Sequence, residues 1–298
     1  MDLLAAVSDR LQDRSAVATD PRVTVGERVV LVEVDHPGDG RLAGLAHRPR
    51  GGNKRAVEEL SVDRLVSLAT GTRSGSGSES EHRLERAVGI ATLNALSVPE
   101  VAWQAGDPMA ALSTDVDVVA TVGLFRPAFR KFDDVEVRVV ERDPPESVEA
   151  PAGVSVRTYP QEAAREAFDG ADVCFVTGST LIYGGIDRYL SALSAASVSP
   201  VVLVGATASH VPDPAFAAGV DVVAGALVTD VDRVRERVAA GDCGTDLHDA
   251  GVEKVYVADA TDHSVDEGAL AGLRAASERA DRAEPTQTGS RWNTNDRQ

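Results

Sequence analysis

Lysine is nearly absent from this chain. Only Lys54, Lys131 and Lys254 occur in 298 residues, and aromatic side chains make up 4% of the total. Cysteine is limited to Cys174 and Cys243, without paired spacing, which excludes a disulfide framework and a C-x-x-C zinc or redox site. Cys174 lies inside the apolar run VCFV and reads as a small buried hydrophobe rather than a nucleophile. The six histidines are scattered, with no H-x-x-x-H pair, so linear spacing offers no metal cluster. A carboxylate and His site assembled across two domains is left open. There is no G-x-S-x-G elbow, P-loop or Cys/His arrangement, so no nucleophile or general base is nominated and catalytic residues stay unassigned. No apolar run approaches a membrane-spanning length, and no basic segment precedes an apolar core near Met1. The expectation is a cytoplasmic protein with no membrane partner.

Positive charge is also scarce. Acidic residues number 47 against 30 basic ones, a formal charge of -17 that works against binding nucleic acid or anionic membrane. An acid-rich, lysine-poor surface suits concentrated salt, where screening weakens self-repulsion, and points to a halophilic cytosol. A high-GC bacterial genome encoding a merely acidic protein accounts for the same composition. With 43% hydrophobic residues, the length suffices for two buried cores. A homo-oligomer is left open.

The fold class expected is α/β, with a small N-terminal α+β domain (1–106), a C-terminal Rossmann-like parallel-sheet domain (107–277) and a disordered tail (278–298). Leu3, Leu4, Val7 and Leu11 recur at helical spacing, VTVGERVVLVEVD alternates as a strand with a turn near Gly26, and Leu42–His47 follows the PGDG turn as its hairpin partner. Ser61 caps a short helix to Ala69, and Glu81–Leu96 carries Leu84, Val88, Ala91 and Ala95 on one face. Between them TGTRSGSGSES is flexible by composition. From Asp117 short Val-rich strands alternate with helices: strands at 117–123, 135–141, 172–178, 201–205 and 220–225, and helices at 127–132, 161–168, 186–196 and 231–239. Continuous apolar strands in β-α units predict a parallel sheet covered on both faces.

In such a sheet the ligand lies beyond the carboxyl ends of the strands, near the reversal of strand order. That rule selects Gly123 and Phe125, Glu141, Thr177 to Thr180, Gly205 and Thr207, and Gly225. Within Thr177-Gly178-Ser179-Thr180, on the third strand by this reading, Gly178 permits close backbone approach. The hydroxyls and free amides ahead of a helix suit an anion, and the same hydroxyls also suit plain helix capping. Glu141 stands where nucleotide-binding folds place an acid on the ribose, although GLFRPAF lacks G-x-G-x-x-G; pairing with Arg142 or Arg126 is the alternative. Asp187, in a first helical turn, and His210, in a polar loop, are weak metal candidates against capping and solvation. Asp230 reads as a helix cap.

The stretches AVGIATLNALS, ATVGLFRP, VVERDP, ADVCFVTGSTLIYGGIDRYL, VVLVGATASHVPDPAF and GVDVVAGALVTD together resemble an uncharacterised two-domain family whose name points to heavy-metal chelation. The resemblance implies an enolase-N-terminal-like domain ahead of a Rossmann-like one. It also implies an interdomain pocket to which Asn94 contributes, and a heavy or transition metal ion as the ligand. The chain departs from that pattern at Tyr183-Gly184-Gly185, where the family has Asn-Gly-Thr, and at Gly205-Ala206, where it has Gly-Pro. The expected function is small-molecule or metal binding in the cleft, in metal chelation or homeostasis, with an enzyme acting on a nucleotide-like or phosphorylated molecule as the alternative.

Overall fold

A computed structural model of the chain describes residues 2–53, 57, 60–71, 78–113 and 115–259. The expected disordered tail, the 260–277 end of the second domain and positions 72–77 of the glycine- and serine-rich segment lie outside the described residues.

The N-terminal part opens with α1 (Leu3–Arg10), started by the Asp2 carboxylate, which accepts the Ala5 N–H at 3.2 Å. Leu11 interrupts the helix before α2 (Gln12–Val17). Three antiparallel strands follow, β1 (Thr19–Val25), β2 (Val29–His36) and β3 (Gly40–His47), in that spatial order. They are backed by α3 (Val62–Thr70), capped by Ser61, and by α4 (Glu79–Ser97), which opens with a reciprocal Ser78 and Glu81 capping box. Alternation along β2 sorts its side chains in two. Val30, Val32 and Val34 join the main core, while Leu31 packs with β3 and the far C-terminal helices.

The second sheet has eight strands: β4 (Gln104–Ala105), β5 (Val118–Val122), β6 (Glu136–Glu141), β7 (Ser155–Pro160), β8 (Val173–Thr177), β9 (Val201–Val204), β10 (Val222–Val228) and β11 (Val252–Ala258). Their order is β4-β11-β10-β9-β8-β5-β6-β7, with β5 to β10 parallel and β11 and β4 antiparallel at one edge. Numbered from β5, the parallel strands run 3-2-1-4-5-6, the doubly wound order whose reversal falls between β5 and β8. The helices are α5 (Ala128–Lys131), α6 (Ala164–Phe168), α7 (Ser179–Tyr183), α8 (Ile186–Ala195), α9 (Asp213–Phe216), α10 (Val231–Ala239) and α11 (Thr245–His248).

Both sheet faces are buried, as the Val-rich strands predict. Ala120, Val122, Cys174, Val176, Val201 and Leu203 share one core with the α1, α3 and α4 side chains, while Val119, Val137, Phe175 and Val202 face a second core under α5. Cys174 is fully buried and burial raises its thiol pKa, so it is the inert hydrophobe that its setting suggested.

Three strands escape the sequence reading. β7 has no fully buried side chain because it is an edge strand, with Ser155, Arg157 and Pro160 exposed, and its alternation in SVRTYP is the signal that marks it. Its presence makes the Thr177 loop the end of the fourth parallel strand, not the third. β11 lacks that alternation, with adjacent exposed Glu253 and Lys254 ahead of buried Val255 and Tyr256, and β4 is two residues long and carries no periodic signal.

An ion pair ties the small sheet to helix α10. Glu33 of β2 is fully buried, and Arg235 of α10 grips it in a fork, Nε to Oε2 at 2.7 Å and Nη2 to Oε1 at 2.6 Å. Arg41 adds a looser contact at 3.7 Å. The pair raises the Arg235 pKa, chiefly through that hydrogen bond. Replacing Arg235 with Ala leaves a buried carboxylate with one distant partner, so urea denaturation should show a loss of about 3 kcal/mol. The double change Arg235→Met with Glu33→Leu should recover most of it.

Candidate functional site

Where β5 and β8 part, their ends are locked together. Gly123 follows β5 with φ +86°, and a Cβ there would stand 2.3 Å from Thr177 Oγ1. Only glycine satisfies both the conformation and the approach. Thr177 Oγ1 donates to the Val122 carbonyl at 2.9 Å, so in its 2.9 Å contact with Ser179 Oγ the serine is the donor. Thr180 Oγ1 donates back to the Thr177 carbonyl at 2.8 Å. Neither Ser179 nor Thr180 caps α7, since Gly178 holds the N-cap position without a side-chain bond.

The Gly178 amide is not free for an anion, because it donates to the Val204 carbonyl at 2.8 Å. A Cβ on Gly178 would lie 3.0 Å from Thr207 Cβ, so this glycine admits the neighbouring 3-10 turn at Ala206–Ala208 rather than a ligand. Glu141, ending β6, uses Oε1 to accept the Leu124 N–H at 2.8 Å, which pins the loop after β5. Backbone, not Arg142 or Arg126, is its hydrogen-bond partner.

Around this junction lies a crevice of about 310 Å³, walled by Gly123, Glu141, Thr177, Ser179, Thr180, Tyr183, Gly184 and Tyr189, with His47 of β3 on the opposite side. It opens into a wider mouth of about 870 Å³, with which it shares His47, Glu141, Arg142 and Tyr183. Tyr183 carries the Arg142 guanidinium 4.2 Å and the Arg83 guanidinium 5.1 Å from its ring centroid, and the His47 ring stands 6.2 Å away. His47 keeps an exposed face, yet its neighbours displace enough water to lower the imidazole pKa.

The remaining strand-end residues do not join this crevice. Phe125, Gly205 and Gly225 line a separate, mostly apolar cavity of about 270 Å³ with Val29, Leu45, Pro127 and Leu247. Gly225 is there for packing, since a Cβ would meet Ser209 Oγ at 2.5 Å. Thr207 and Asn94 sit in the seam between the domains. Thr207 Oγ1 accepts the His47 N–H at 2.9 Å, and Asn94 Nδ2 donates to the carbonyls of Leu45, Ala206 and Thr207 at 2.8, 3.1 and 3.2 Å. Asn94 is fully buried and lines none of these cavities, in contrast to the role that the family resemblance implied.

The weak metal candidates also stand apart. His210 is fully buried rather than solvated; Nδ1 donates to the Val211 carbonyl at 2.9 Å, and Nε2 has no partner among the described residues. Asp187 accepts the Leu3 N–H at 3.3 Å, and Asp230 caps α10 through the Arg233 N–H. Among the described residues no group of three His, Cys, Asp or Glu side chains could hold a metal ion. The described residues therefore supply no ligand set for a protein-held metal.

Sequence reading did not nominate His47, Tyr183 or Arg142. A signal existed in His47-Arg48-Pro49-Arg50, a basic run inside a chain of charge -17.

Two measurements check this geometry. Gly123→Ala should cost about 2 kcal/mol or more through strain and the Thr177 clash. A double-mutant cycle with Thr177→Ala should show the pair coupled rather than additive. Desolvation lowers both the His47 and the His210 pKa, so below the ordinary imidazole value of about 6.5 the unfolded chain binds more protons than the folded one. Stability is therefore greatest above that pH and falls as pH drops beneath it. Denaturation at pH 7.5 and 5.5 reads the slope, which His210→Gln should reduce.

A family model described as "DUF364: Putative heavy-metal chelation" matches residues 110–257. Among solved structures, a DUF364 protein of unknown function from Pyrococcus horikoshii aligns with TM-score 0.68 at 18% identity, covering 86% of this chain and 100% of that one. A second, from Desulfitobacterium hafniense DCB-2, gives TM-score 0.63 at 16% identity over 86% of this chain and 98% of its own. At these identities the likeness shows a common fold. No curated protein matches the chain. No helix among the described residues is long and apolar enough to cross a membrane. Over residues 110–257, which carry most of its large sheet, the chain is similar to the DUF364 family, and it shares the fold of these two DUF364 structures.

Proposed function

We propose that the protein binds a small organic molecule in the crevice at the β5/β8 strand-order reversal, with β3 closing it from the N-terminal domain. One observation carries the reading. Thr177, Ser179 and Tyr183 of the Rossmann-like domain and His47 of the other domain face one crevice of about 310 Å³, at the position where doubly wound sheets hold ligands. Hydroxyl and ring groups there offer hydrogen bonds and stacking, while no buried charge demands a fixed counter-ion. The net charge of -17 supports a small-molecule partner over nucleic acid.

A dinucleotide enzyme has less support. The Thr177 side chain stands over Gly123, and one Glu141 oxygen is held by the Leu124 amide. Heavy-metal binding is suggested by the family description alone. The described residues supply no chelating set for such an ion.

Thermal-shift measurements on untagged protein with adenosine, S-adenosylmethionine, glucose 6-phosphate, Zn²⁺ and Cu²⁺ test the reading. A ligand of the folded state at 100 times its Kd adds about 2.7 kcal/mol of stability. The expected result is that an organic probe stabilises the protein and that Ser179→Gln, which fills the crevice, removes the effect. Stabilisation that is unchanged in Ser179→Gln, or confined to the metal ions, would sink it.

A further inference from the structure

The mouth of the crevice carries a charge opposite to that of the rest of the molecule. Arg28, Arg48, Arg50, Arg83 and Arg142 line it against three carboxylates, Glu27, Glu141 and Asp143, in a chain where acids outnumber bases by 47 to 30. In an acid-rich protein a surface arginine readily finds a carboxylate, as Arg14, Arg41, Arg138, Arg235 and Arg237 do. At the mouth only Arg83 has one, Glu79, among the described residues. Arg48 gives Nη1 and Nη2 to the carbonyls of Glu27 and Gly51 at 3.3 and 3.4 Å, and its buried Nε has no partner among the described residues. Arg28, Arg50 and Arg142 have no ion pair there.

Tyr183 concentrates this charge. Its ring holds two guanidiniums, at 4.2 and 5.1 Å from the centroid, and like charges so placed repel each other. An oxyanion bridging them removes the repulsion and gains forked, charge-assisted hydrogen bonds that a guanidinium presents in fixed geometry. The crevice beyond is lined by hydroxyls and carries no arginine besides Arg142.

From this we infer that the ligand is a small molecule bearing a di- or polyanionic group, phosphate or carboxylate, seated in the arginine-lined mouth and gripped by Arg142. Its uncharged part extends towards Ser179 and Thr177. The inference rests on the crevice reading above and adds the charge class of its ligand.

Thermal-shift titrations with inorganic pyrophosphate, citrate and adenosine, each against sodium chloride at equal ionic strength, test it in the intact chain. At least one anion should raise Tm beyond the chloride control, and which of the two does so separates phosphate from carboxylate. Arg142→Gln and Arg50→Gln should each weaken that anion by roughly tenfold, from the loss of a charge-assisted contact. Arg130→Gln, exposed on α5 and lining neither cavity, should bind as wild type. Two results would overturn the inference: no anion exceeds the chloride control, or the arginine variants bind it as tightly as wild type. If adenosine alone stabilises and Ser179→Gln abolishes that, the crevice reading stands without the anion. If no probe acts, both fall.

Discussion

The side-chain amide of Asn94 joins the halves of this molecule. Its Nδ2 reaches one carbonyl on β3 and two on the turn after β9, and its Oδ1 is left without a partner among the described residues. Buried polar groups hold their place only when bonded, so this amide ties β3 to the Ala206–Ala208 turn. The same seam is stitched by Thr207 to the His47 N–H and by Ser97 to the Val211 N–H, at 3.0 Å. Because His47 is part of that seam, the wall it lends to the crevice is set by interdomain contacts rather than by either domain alone.

A shared core reinforces the seam. Apolar side chains from α1, α3, α4 and β2 pack continuously with one face of β5, β8 and β9, and the Glu33–Arg235 pair closes the opposite side of the small sheet. The N-terminal part is thus a layer on the Rossmann-like sheet as much as a domain beside it. Against that apolar, close-packed background the arginine-lined mouth and its hydroxyl-lined crevice differ in chemistry, which is why the functional reading centres there.

Legibility from the sequence followed burial. The Val-rich central strands, the apolar face of α4 and the hairpin of β2 and β3 have strong periodic signals and formed as read, while the Ser78 and Glu81 capping box starts α4 two residues earlier than that periodicity indicates. The edge strand β7 and the antiparallel β11 mix polar with apolar residues because part of each meets solvent, and neither reads as a continuous apolar strand. The strand-end rule selected Gly123, Glu141, Thr177, Ser179 and Thr180, which line the candidate crevice, but it put Gly178, Phe125, Gly205 and Gly225 with them, and Gly178 packs against Thr207. Phe125, Gly205 and Gly225 open into a different cavity, a separation that depends on how the loops after β5 and β9 and the strand β10 pack together.

Composition and local pattern by themselves determined the two-part α/β architecture, the parallel character of the central sheet, the inert setting of Cys174 and the acidity that disfavours polyanionic polymers. These depend on periodicity and charge, which are properties of neighbouring residues. Tertiary structure alone decided that Gly178 serves loop packing, that Asn94 is a staple, that His210 is buried and that Arg28, Arg48, Arg50, Arg83 and Arg142 meet at one mouth. Each of those outcomes depends on contacts between residues far apart in the chain, and such distances are set by packing rather than by spacing.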